Sequence, residues 1–296
     1  MGPDGTTRRA LIRAAAERLG AARPTGDPRL EAELLLASVL GVKRLELVLK
    51  PDEPVGEEAV TAFQEAVQRR VAGEPIQYIM GVAAFRELDL HVDRRVLIPR
   101  PETEVLVEEV LRWAAEGAAR AGRRLTAADI GTGSGAIALS LLKEGPFERV
   151  VATDASLEAL EVARENAERL GLADRLELRH GPLLAPLRGE RFDVIVSNPP
   201  YVADSERDML PEDVREWEPP GALFAGPTGL EVLAALVEDA PLYLAPCGLL
   251  ALEVGAGQAA EVAWRIDRRG AYNAPRVVPD LAGVERVVQA VLRGPC

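Results

Sequence analysis

One segment of this sequence restricts the possible folds more than any other: a largely apolar run that leads through a glycine-rich turn into an apolar helix. The run is Leu125–Ile130, the helix is predicted over 136–142, and the turn between them contains Gly131, Thr132, Gly133, Ser134 and Gly135. Parallel strands need a crossover connection, usually a helix, so this order predicts the start of a parallel sheet. Glycines in such a turn let the backbone approach a ligand closely.

Asp154 ends a second apolar run over 150–153 and is predicted to belong to the same site. In sheets of this type, an acidic residue about 20 positions beyond the turn accepts hydrogen bonds from ribose hydroxyls, so we expect an adenosine derivative as ligand. A dinucleotide fingerprint places a third glycine where this chain has Ala136, although alanine is tolerated there. The pattern Gly-x-Gly-x-Gly, preceded by an acidic residue, is instead typical of S-adenosylmethionine enzymes. The glycine turn alone leaves both ligands open.

An unusual tetrapeptide follows the apolar run Phe192–Ser197, and its residues are Asn198, Pro199, Pro200 and Tyr201. The prolines fix φ and lack N–H donors, so the carbonyl groups around them stay free to accept, and Asn198 adds a side-chain carbonyl. A planar NH2 group can donate one hydrogen to Asn198 and one to the Pro199 carbonyl, while Tyr201 covers its flat face. The alternative interpretation is a rigid turn that ends the strand beside a packed tyrosine.

With both motifs, the chain resembles the amino methyltransferases, and more closely the PrmC/HemK family, the glutamine methyltransferases that act on peptide-chain release factors. The resemblance covers nearly the whole chain and extends to segments 73–78, 97–104 and 280–287. It implies S-adenosyl-L-methionine as the cofactor and a peptide-chain release factor as the partner and substrate. The methyl acceptor is then the side-chain amide nitrogen of the glutamine in the release factor's Gly-Gly-Gln loop.

The resemblance also implies which residues form the site. The cofactor-binding residues are those of the turn 131–135, together with Asp154, Leu183 and Asn198. The residues of the tetrapeptide 198–201 are implied to bind the acceptor amide and to carry the catalysis. The segment 181–184 departs from the family pattern, because it has Gly-Pro-Leu-Leu where the family has an acidic residue followed by an aromatic one. Leu183 or backbone groups then provide the adenine contacts.

We expect catalysis mainly by placement, because the lone pair of a carboxamide nitrogen is delocalised into its carbonyl. Holding the acceptor and the methyl donor in line removes about 7–11 kcal/mol of barrier in favourable cases. As the nitrogen pyramidalises, its hydrogens become more acidic, so the Asn198 and Pro199 acceptors bind them more strongly. Glu102 and Thr103 either close the cofactor pocket or form an ordinary acidic helix start. Glu253 either shapes the rim of the pocket or simply ends a strand.

Hydrophobic periodicity predicts three parts of the chain. Helical spacing predicts an all-helical domain over 1–80, which docks the substrate or merely caps the remainder, with one helix between Asp27-Pro28 and Gly41. Alternating apolar residues predict a β-hairpin linker over 81–95. In the remainder, 96–296, helices are predicted over 104–115, 135–143, 156–170, 229–244 and 258–268, and strands over 176–179, 192–197, 249–254, 276–278 and 285–291.

The predicted fold class is therefore α/β. The last two strands lie so close in sequence that they form a hairpin, which gives the seven-stranded Rossmann-like methyltransferase sheet that the resemblance implies. This methyltransferase domain follows the N-terminal all-helical domain and its β-hairpin linker.

Composition disfavours several classes of function. A net charge of −12 over 296 residues disfavours a broad nucleic-acid surface, so we expect protein substrates and no direct nucleic-acid binding. No apolar stretch is long enough to span a bilayer and the first residues lack the pattern of a signal peptide, so we expect no membrane association and a cytoplasmic protein. Two cysteines with His91 and His180 do not form a metal-ligand cluster, so no metal is expected.

Three alternatives to release factor methylation stay open at this point. The chain can methylate a glutamine of a ribosomal protein, or an exocyclic base amine in DNA or RNA, which Asn-Pro-Pro-Tyr would serve equally well. The net charge disfavours the nucleic-acid substrate. A non-catalytic protein would bind S-adenosylmethionine without turnover.

Overall fold

The computed structural model describes residues 7–22 and 26–295, which divide into two compact units. One unit reaches to Gly81 and includes the short segment Pro211–Trp217, whereas the other holds Val82–Leu210 and continues from Glu218. The division of the sequence into 1–80, 81–95 and 96–296 stays a prediction.

The described chain alternates helices and strands over most of its length. Numbered in chain order, the helices are α1 (Arg8–Ala22), α2 (Pro28–Leu40), α3 (Arg44–Leu49), α4 (Glu57–Val71), α5 (Ile76–Met80), α6 (Pro101–Ala121), α7 (Ala136–Glu144), α8 (Leu157–Arg169), α9 (Glu212–Trp217), α10 (Pro220–Leu223), α11 (Glu231–Asp239) and α12 (Ala259–Arg269). The strands are β1 (Val82–Phe85), β2 (Leu88–His91), β3 (Leu125–Ile130), β4 (Phe147–Asp154), β5 (Leu176–His180), β6 (Phe192–Ser197), β7 (Val202–Ala203), β8 (Phe224–Gly226), β9 (Leu244–Glu253), β10 (Arg276–Pro279) and β11 (Glu285–Val291).

The first unit is built from helices whose ends follow sequence signals. The Asp27 carboxylate accepts hydrogen bonds from the backbone N–H groups of Arg29 and Leu30 at 3.1 and 3.0 Å, and Pro28 takes the first position of α2. Gly41 ends α2 in the left-handed conformation with a φ of 63°. Both predicted ends of this helix are confirmed. Apolar faces of α1, α2 and α4 form the core of the unit.

The second unit is organised by a mixed seven-stranded sheet with the order β10-β11-β9-β6-β3-β4-β5. The strands β9, β6, β3, β4 and β5 are parallel, whereas β11 is antiparallel to β9 and to β10. The predicted α/β fold with its seven-stranded sheet is confirmed. Its first and fourth strands, β3 and β6, are neighbours at the point where the strand order reverses, and ligands of such sheets bind beyond the carboxyl ends of the strands there.

Apolar side chains pack on both faces of this sheet. Ala127 of β3 packs in the cluster that includes α6 and α7, whereas the next residue, Ala128, packs in the cluster that includes α11 and α12. This alternation is expected for a strand that is covered by helices on both faces. The β1–β2 hairpin adds Phe85, Leu88 and Leu90 to the α6 and α7 cluster, so the hairpin contributes to the core of the second unit.

Several predicted element ends are wrong. Helix α6 begins at Pro101 rather than at 104, because proline suits the first turn of a helix. Helix α11 stops at Asp239 rather than at 244, and β9 begins at Leu244 rather than at 249. The helix α5 and the short strands β7 and β8 were not predicted, because elements of this length carry too little periodicity.

Within residues 7–22 and 26–295, no helix is long and apolar enough to cross a membrane. In the same residues, no three His, Cys, Asp or Glu side chains form a group that can hold a metal ion. His91 Nε2 lies 3.3 Å from Asp93 and 3.6 Å from Glu165, and His180 Nε2 lies 3.1 Å from the carbonyl oxygen of Ala155.

Candidate functional site

The two sequence motifs lie side by side at the carboxyl edge of the sheet. Asp129 of β3 is paired with Val196 of β6, so the glycine turn and the tetrapeptide leave adjacent strands. The hydroxyl of Ser197 donates a hydrogen bond of 2.6 Å to the carbonyl oxygen of Ile130 and so joins the last residues of the two strands. The fold therefore brings together two segments that are more than 60 residues apart in sequence.

The glycines of the turn have different surroundings. Gly131 and Gly133 have φ angles of 74° and 54°, and a Cβ atom added to either would meet no atom within 4 Å. This side of the turn is open, so a ligand can approach the backbone there. Gly135 has a φ of 84°, but a Cβ there would lie 3.0 Å from Leu139 and 3.5 Å from Ala163. The last glycine thus permits the close packing of helices α7 and α8, and the first two leave room for a ligand.

Asp154, at the end of β4, lies against the glycine turn. Its Oδ2 accepts a hydrogen bond of 2.9 Å from the backbone N–H of Gly133, and its Oδ1 accepts one of 2.9 Å from the backbone N–H of Ser156. A carboxylate oxygen can accept more than one hydrogen bond, so both oxygens can still accept from hydroxyl groups. Leu183 lies nearby, because its carbonyl oxygen accepts a hydrogen bond of 3.0 Å from Thr153 Oγ1. Its φ of 46° is an unusual conformation for leucine.

Asp129 is the acidic residue two positions before the turn, and it is completely buried. Its Oδ2 accepts hydrogen bonds from Thr132 Oγ1 at 2.7 Å and from the backbone N–H of Ala138 at 3.1 Å. Its Oδ1 is buried without a partner. Burial raises the pKa of Asp129 to about 7, against the lowering effect of the Thr132 hydrogen bond, and the charge of Asp154 raises it further. The sequence pattern identified the position, but not this burial.

Asn198 is held by a side chain from a distant helix. Its Nδ2 donates a hydrogen bond of 2.9 Å to Oγ1 of Thr103, in the first turn of α6, and Thr103 is only 4% exposed. With the amide nitrogen used in this way, the carbonyl oxygen Oδ1 is directed away from Thr103. Pro199 is buried, while Asn198, Pro200 and Tyr201 are partly exposed. The tetrapeptide therefore combines a fixed amide with access from outside.

The backbone of Tyr201 is closely packed. Its carbonyl oxygen accepts a hydrogen bond of 2.9 Å from Gln258 Nε2, and a Cβ added to Gly229 would lie only 2.5 Å from the same oxygen. Burial raises the pKa of the Tyr201 phenol to about 12; the charge of Glu253 also raises it, and that of Arg286 lowers it. The phenol is therefore neutral at physiological pH.

Glu253, the last residue of β9, is a buried carboxyl group behind the tetrapeptide. It is 1% exposed, and its Oε2 has no hydrogen-bond partner. Burial raises the pKa of Glu253 to about 7, whereas the polar side chains of Thr103 and Tyr201 and the charge of Arg286 lower it. Of the three residues for which the sequence left two interpretations, Thr103 and Glu253 thus lie beside the tetrapeptide.

One residue that positions the glycine turn carried no recognisable signal in the sequence. Asn166 of α8 is completely buried, and its Nδ2 donates to the carbonyl oxygens of Ser134 and His91 at 2.9 and 3.0 Å. Its Oδ1 accepts from the backbone N–H of His91 at 2.6 Å. Asn166 therefore ties the turn to the end of β2. An asparagine inside a polar amphipathic helix looks like any other surface residue until its partners are known.

Two segments of the chain match known protein families. Residues 10–81 match the family PrmC N-terminal domain, and residues 105–215 match the family methyltransferase small domain. The chain is 46% identical to the release factor glutamine methyltransferase of Moorella thermoacetica over 266 aligned residues. This alignment covers 90% of this chain and 92% of that protein. It is 42% identical to the release factor glutamine methyltransferase of Rhodopirellula baltica, over 88% of each chain.

Solved structures share the fold of a large part of this chain. A methyltransferase from Pyrococcus furiosus has a TM-score of 0.52 at 22% identity, with 78% of this chain and 98% of that chain covered. The 16S rRNA N2 G1207 methyltransferase of T. thermophilus, solved with AdoMet and guanosine, has a TM-score of 0.52 at 20% identity, with 72% and 50% covered. At these identities the similarity is one of fold, that of the Rossmann-like methyltransferases.

Proposed function

The chain belongs to the release factor glutamine methyltransferases, and from this premise we propose that it methylates the glutamine of the Gly-Gly-Gln loop of peptide-chain release factors. The methyl group comes from S-adenosyl-L-methionine and is transferred to the side-chain amide nitrogen. The relatives named for this activity align with about nine-tenths of the chain, so the similarity includes both units and the candidate site.

The cofactor site that we propose is formed by the glycine turn, Asp154, Leu183 and Asn198. The open space at Gly131 and Gly133 fits a ligand that approaches the backbone, and Asp154 has lone pairs available for ribose hydroxyls. The unpartnered Oδ1 of Asp129 beside the turn also fits a site that takes a polar ligand. When bound, S-adenosyl-L-methionine supplies an electrophilic methyl group on a sulfonium.

The acceptor amide is bound by the tetrapeptide 198–201 in this proposal. Asn198 Oδ1 accepts one hydrogen of the glutamine NH2 group, the Pro199 carbonyl accepts the other, and Tyr201 covers the flat face of the amide. These acceptors gain strength as the nitrogen loses its planar character, so they bind the transition state better than the ground state. The prolines keep the loop rigid, which limits the entropy lost on placement.

One observation carries the proposal most directly: Asn198 presents a fixed carbonyl next to the glycine turn. The bond from Asn198 Nδ2 to Thr103 and the bond from Ser197 to Ile130 together hold an amide acceptor at the edge where the cofactor site lies. That arrangement suits transfer to an NH2 group.

The same proposal makes a release factor, rather than nucleic acid, the partner. A net charge of −12 opposes a broad phosphate-binding surface. Since release factors act on ribosomes, the proposal also gives the protein a cytoplasmic location.

The direct test is incubation of the purified chain with radiolabelled S-adenosyl-L-methionine and a purified release factor, followed by peptide mass spectrometry. We expect a single added methyl group on the glutamine of the Gly-Gly-Gln peptide. A release factor with asparagine in place of that glutamine is the matched control, because it keeps the amide but shortens its reach, and we expect it to stay unlabelled.

Ribosomal proteins and RNA are included in parallel reactions. Label on a ribosomal protein or on a base amine, with none on the release factor, would reject the proposed substrate. Binding of S-adenosyl-L-methionine without label on any acceptor would reject the enzymatic proposal.

A further inference from the structure

Glu218 is a buried carboxylate that belongs to neither sequence motif. It lies where the chain continues into the second unit after the segment Pro211–Trp217, and it is only 4% exposed. Its Oε2 accepts a hydrogen bond of 3.3 Å from the backbone N–H of Ile98, and its Oε1 forms an ion pair of 2.5 Å with the Arg100 guanidinium. Removal of a charge from water is costly, so such a group is expected to have partners that compensate for its burial.

The segment that Glu218 holds, residues 98–100, leads directly into α6. Pro99 and Pro101 have no backbone N–H to donate, so this segment can form few backbone hydrogen bonds. The start of a helix is usually fixed by the side chain of a Ser, Thr, Asp or Asn at the N-cap position. In α6 the N-cap residue is Arg100, and its side chain binds Glu218 instead of capping the helix. The contacts of Glu218 therefore fix the chain just before α6 from outside the helix.

The first turn of α6 in turn holds Asn198. The backbone N–H of Thr103 donates to the Arg100 carbonyl at 3.1 Å, so Thr103 is one hydrogen bond away from the residue that Glu218 binds. Oγ1 of Thr103 lies 2.9 Å from Nδ2 of Asn198. Each step of this path is a contact between buried or partly buried groups. We therefore expect a displacement of residues 98–100 to move the Asn198 side chain.

We propose that Glu218 is a positioning residue for methyl transfer, which holds the chain before α6 and thereby places the Asn198 side chain for the acceptor amide. The inference rests on the proposed function, because it assigns a task to a residue behind the proposed acceptor site. It assigns Glu218 no contact with the reacting atoms. Misplacement of a group at the reacting centre by about 1 Å can reduce the rate about 100-fold, so a small shift of Asn198 is enough.

Asp193 is the matched case of a buried carboxylate far from the site. It is 8% exposed, accepts a hydrogen bond of 2.9 Å from the backbone N–H of Thr126, and forms an ion pair of 2.7 Å with Arg123. Like Glu218, it binds one backbone N–H and one arginine. Thr126 and Asp193 lie near the amino ends of the parallel strands β3 and β6, whereas the tetrapeptide follows the carboxyl end of β6. Asp193 thus shares the structural role of Glu218 without its path to Asn198.

The experiment compares Glu218→Gln and Asp193→Asn with the unmodified chain in the release factor assay, at a temperature at which thermal unfolding shows each protein to be folded. In both variants the amide oxygen can accept from one donor, while the new NH2 group is turned to the other donor, so both should melt at a lower temperature. For Glu218→Gln we expect kcat to fall about 10-fold or more. The cofactor Kd should change little, because Asp154 holds the glycine turn through a separate hydrogen bond. For Asp193→Asn we expect an unchanged kcat.

Glu218→Asp is a second variant, which replaces Glu218→Gln if that protein is unfolded at the assay temperature. It keeps the charge but is one methylene shorter, so it cannot keep both contacts unless residues 98–100 move. We expect its kcat to fall as well. A kcat equal to that of the unmodified chain in a folded Glu218 variant would overturn the inference. Equal losses of kcat in the Glu218 variant and in Asp193→Asn would also overturn it, because they would reflect the loss of a buried ion pair in general.

A spectroscopic measurement keeps this test separate from that of the proposed function. The side-chain NH2 signals of Asn198, identified by their disappearance in Asn198→Ala, are followed by 15N NMR without any substrate. We expect these signals to shift in Glu218→Gln and to keep their positions in Asp193→Asn. If the unmodified chain does not methylate the release factor, the proposed function fails, whereas identical Asn198 signals in Glu218→Gln and the unmodified chain mean that the inference fails.

Discussion

At the scale of single residues, the proposed acceptor site depends on the side-chain oxygen of Asn198. Replacement of Asn198 by alanine removes the side-chain oxygen and leaves the Thr103 hydroxyl without its amide partner. We expect kcat for release factor methylation to fall about 100-fold or more, as when one polarising group is lost from an active site. The cofactor Kd, measured by calorimetry, should change little. A turnover equal to that of the unmodified chain would remove Asn198 from the catalytic residues.

Replacement of Asp154 should weaken cofactor binding, in contrast to the loss of turnover expected for Asn198→Ala. Asp154→Ala removes the proposed ribose acceptor and the partner of the Gly133 N–H group. We expect the Kd for S-adenosyl-L-methionine to rise about 10-fold or more, because the ribose hydroxyls lose their carboxylate acceptor. Calorimetric titration measures this directly. Asp89→Ala, at an exposed position of β2, is the control and should bind the cofactor normally; an unchanged Kd in both variants would exclude Asp154 from the cofactor site.

Local chemistry explains which of these residues the sequence could identify. Asn198 and Asp154 stand in short motifs at strand ends, where residue type and spacing already indicate a task. The partner of Asn198 is Thr103, which lies 95 positions earlier in the chain, and no local pattern connects them. The raised pKa values of Asp129 and Glu253 depend on complete burial, which is a property of the folded sheet rather than of any segment.

At the scale of elements, close packing around the tetrapeptide limits which residues the neighbouring segments can contain. Gly229 has a φ of 76°, and a Cβ there would lie 2.5 Å from the Tyr201 carbonyl oxygen and 3.0 Å from the Ala203 backbone nitrogen. Gly229→Ala must therefore displace the backbone that follows Asn198. We expect a lower melting temperature together with a large loss of methyl transfer.

Gly171→Ala is the matched control for this variant. Gly171 has a similar φ of 68°, but a Cβ there would meet no atom within 4 Å. It should show only the conformational cost of alanine in the left-handed region, about 1–2 kcal/mol, with normal turnover. Thermal unfolding and the release factor assay compare the two variants. Equal melting temperatures and equal methylation rates for the two variants would mean that backbone strain, and not the contact with Tyr201, determines the effect at Gly229.

The same scale shows how far periodicity predicts elements. The bounds of β6 and β11 agree with the sequence analysis, since each is a short apolar run between clear turn signals. Helix α6 is longer at both ends than predicted. At its C-terminal end the reason is that the partly exposed last turns carry little apolar pattern. The short strands β7 and β8 pair with each other, so they depend on a contact between segments that are about 20 residues apart.

At the scale of the whole molecule, the order of the strands makes the site. Neither motif is near the other in sequence, and the crossover connections of a doubly wound sheet place β3 beside β6. The sequence could predict this because the alternation of strands and helices allows few topologies. The same topology buries two carboxyl groups at one edge of the sheet, Asp129 and Glu253, and this has a consequence for stability.

Burial raises the pKa of both carboxyl groups to about 7. The charged neighbour of Asp129 is Asp154, and the charged or polar neighbours of Glu253 include Glu102, Tyr201 and Arg286. Between their ordinary pKa values and about 7, the folded chain binds more protons than the unfolded chain, so the free energy of unfolding must fall as the pH rises. Below this window the free energy of unfolding instead rises with pH. Ion pairs and hydrogen bonds lower the pKa values of Asp93, Asp193 and Glu190, and the stabilisation that these carboxylates give to the fold is lost in acid.

The unfolding free energy should therefore be highest near about pH 4.5 and decrease toward pH 7.5. Urea unfolding at several pH values without cofactor measures this dependence. Asp129→Asn cannot ionise, so its stability should decrease less steeply between pH 5 and 7.5 than that of the unmodified chain. Parallel pH profiles for the two proteins would mean that Asp129 does not titrate in this range. A steeper decrease in the unmodified chain instead means that the carboxyl beside the glycine turn is folded as a neutral acid and must lose its proton at a cost to the fold.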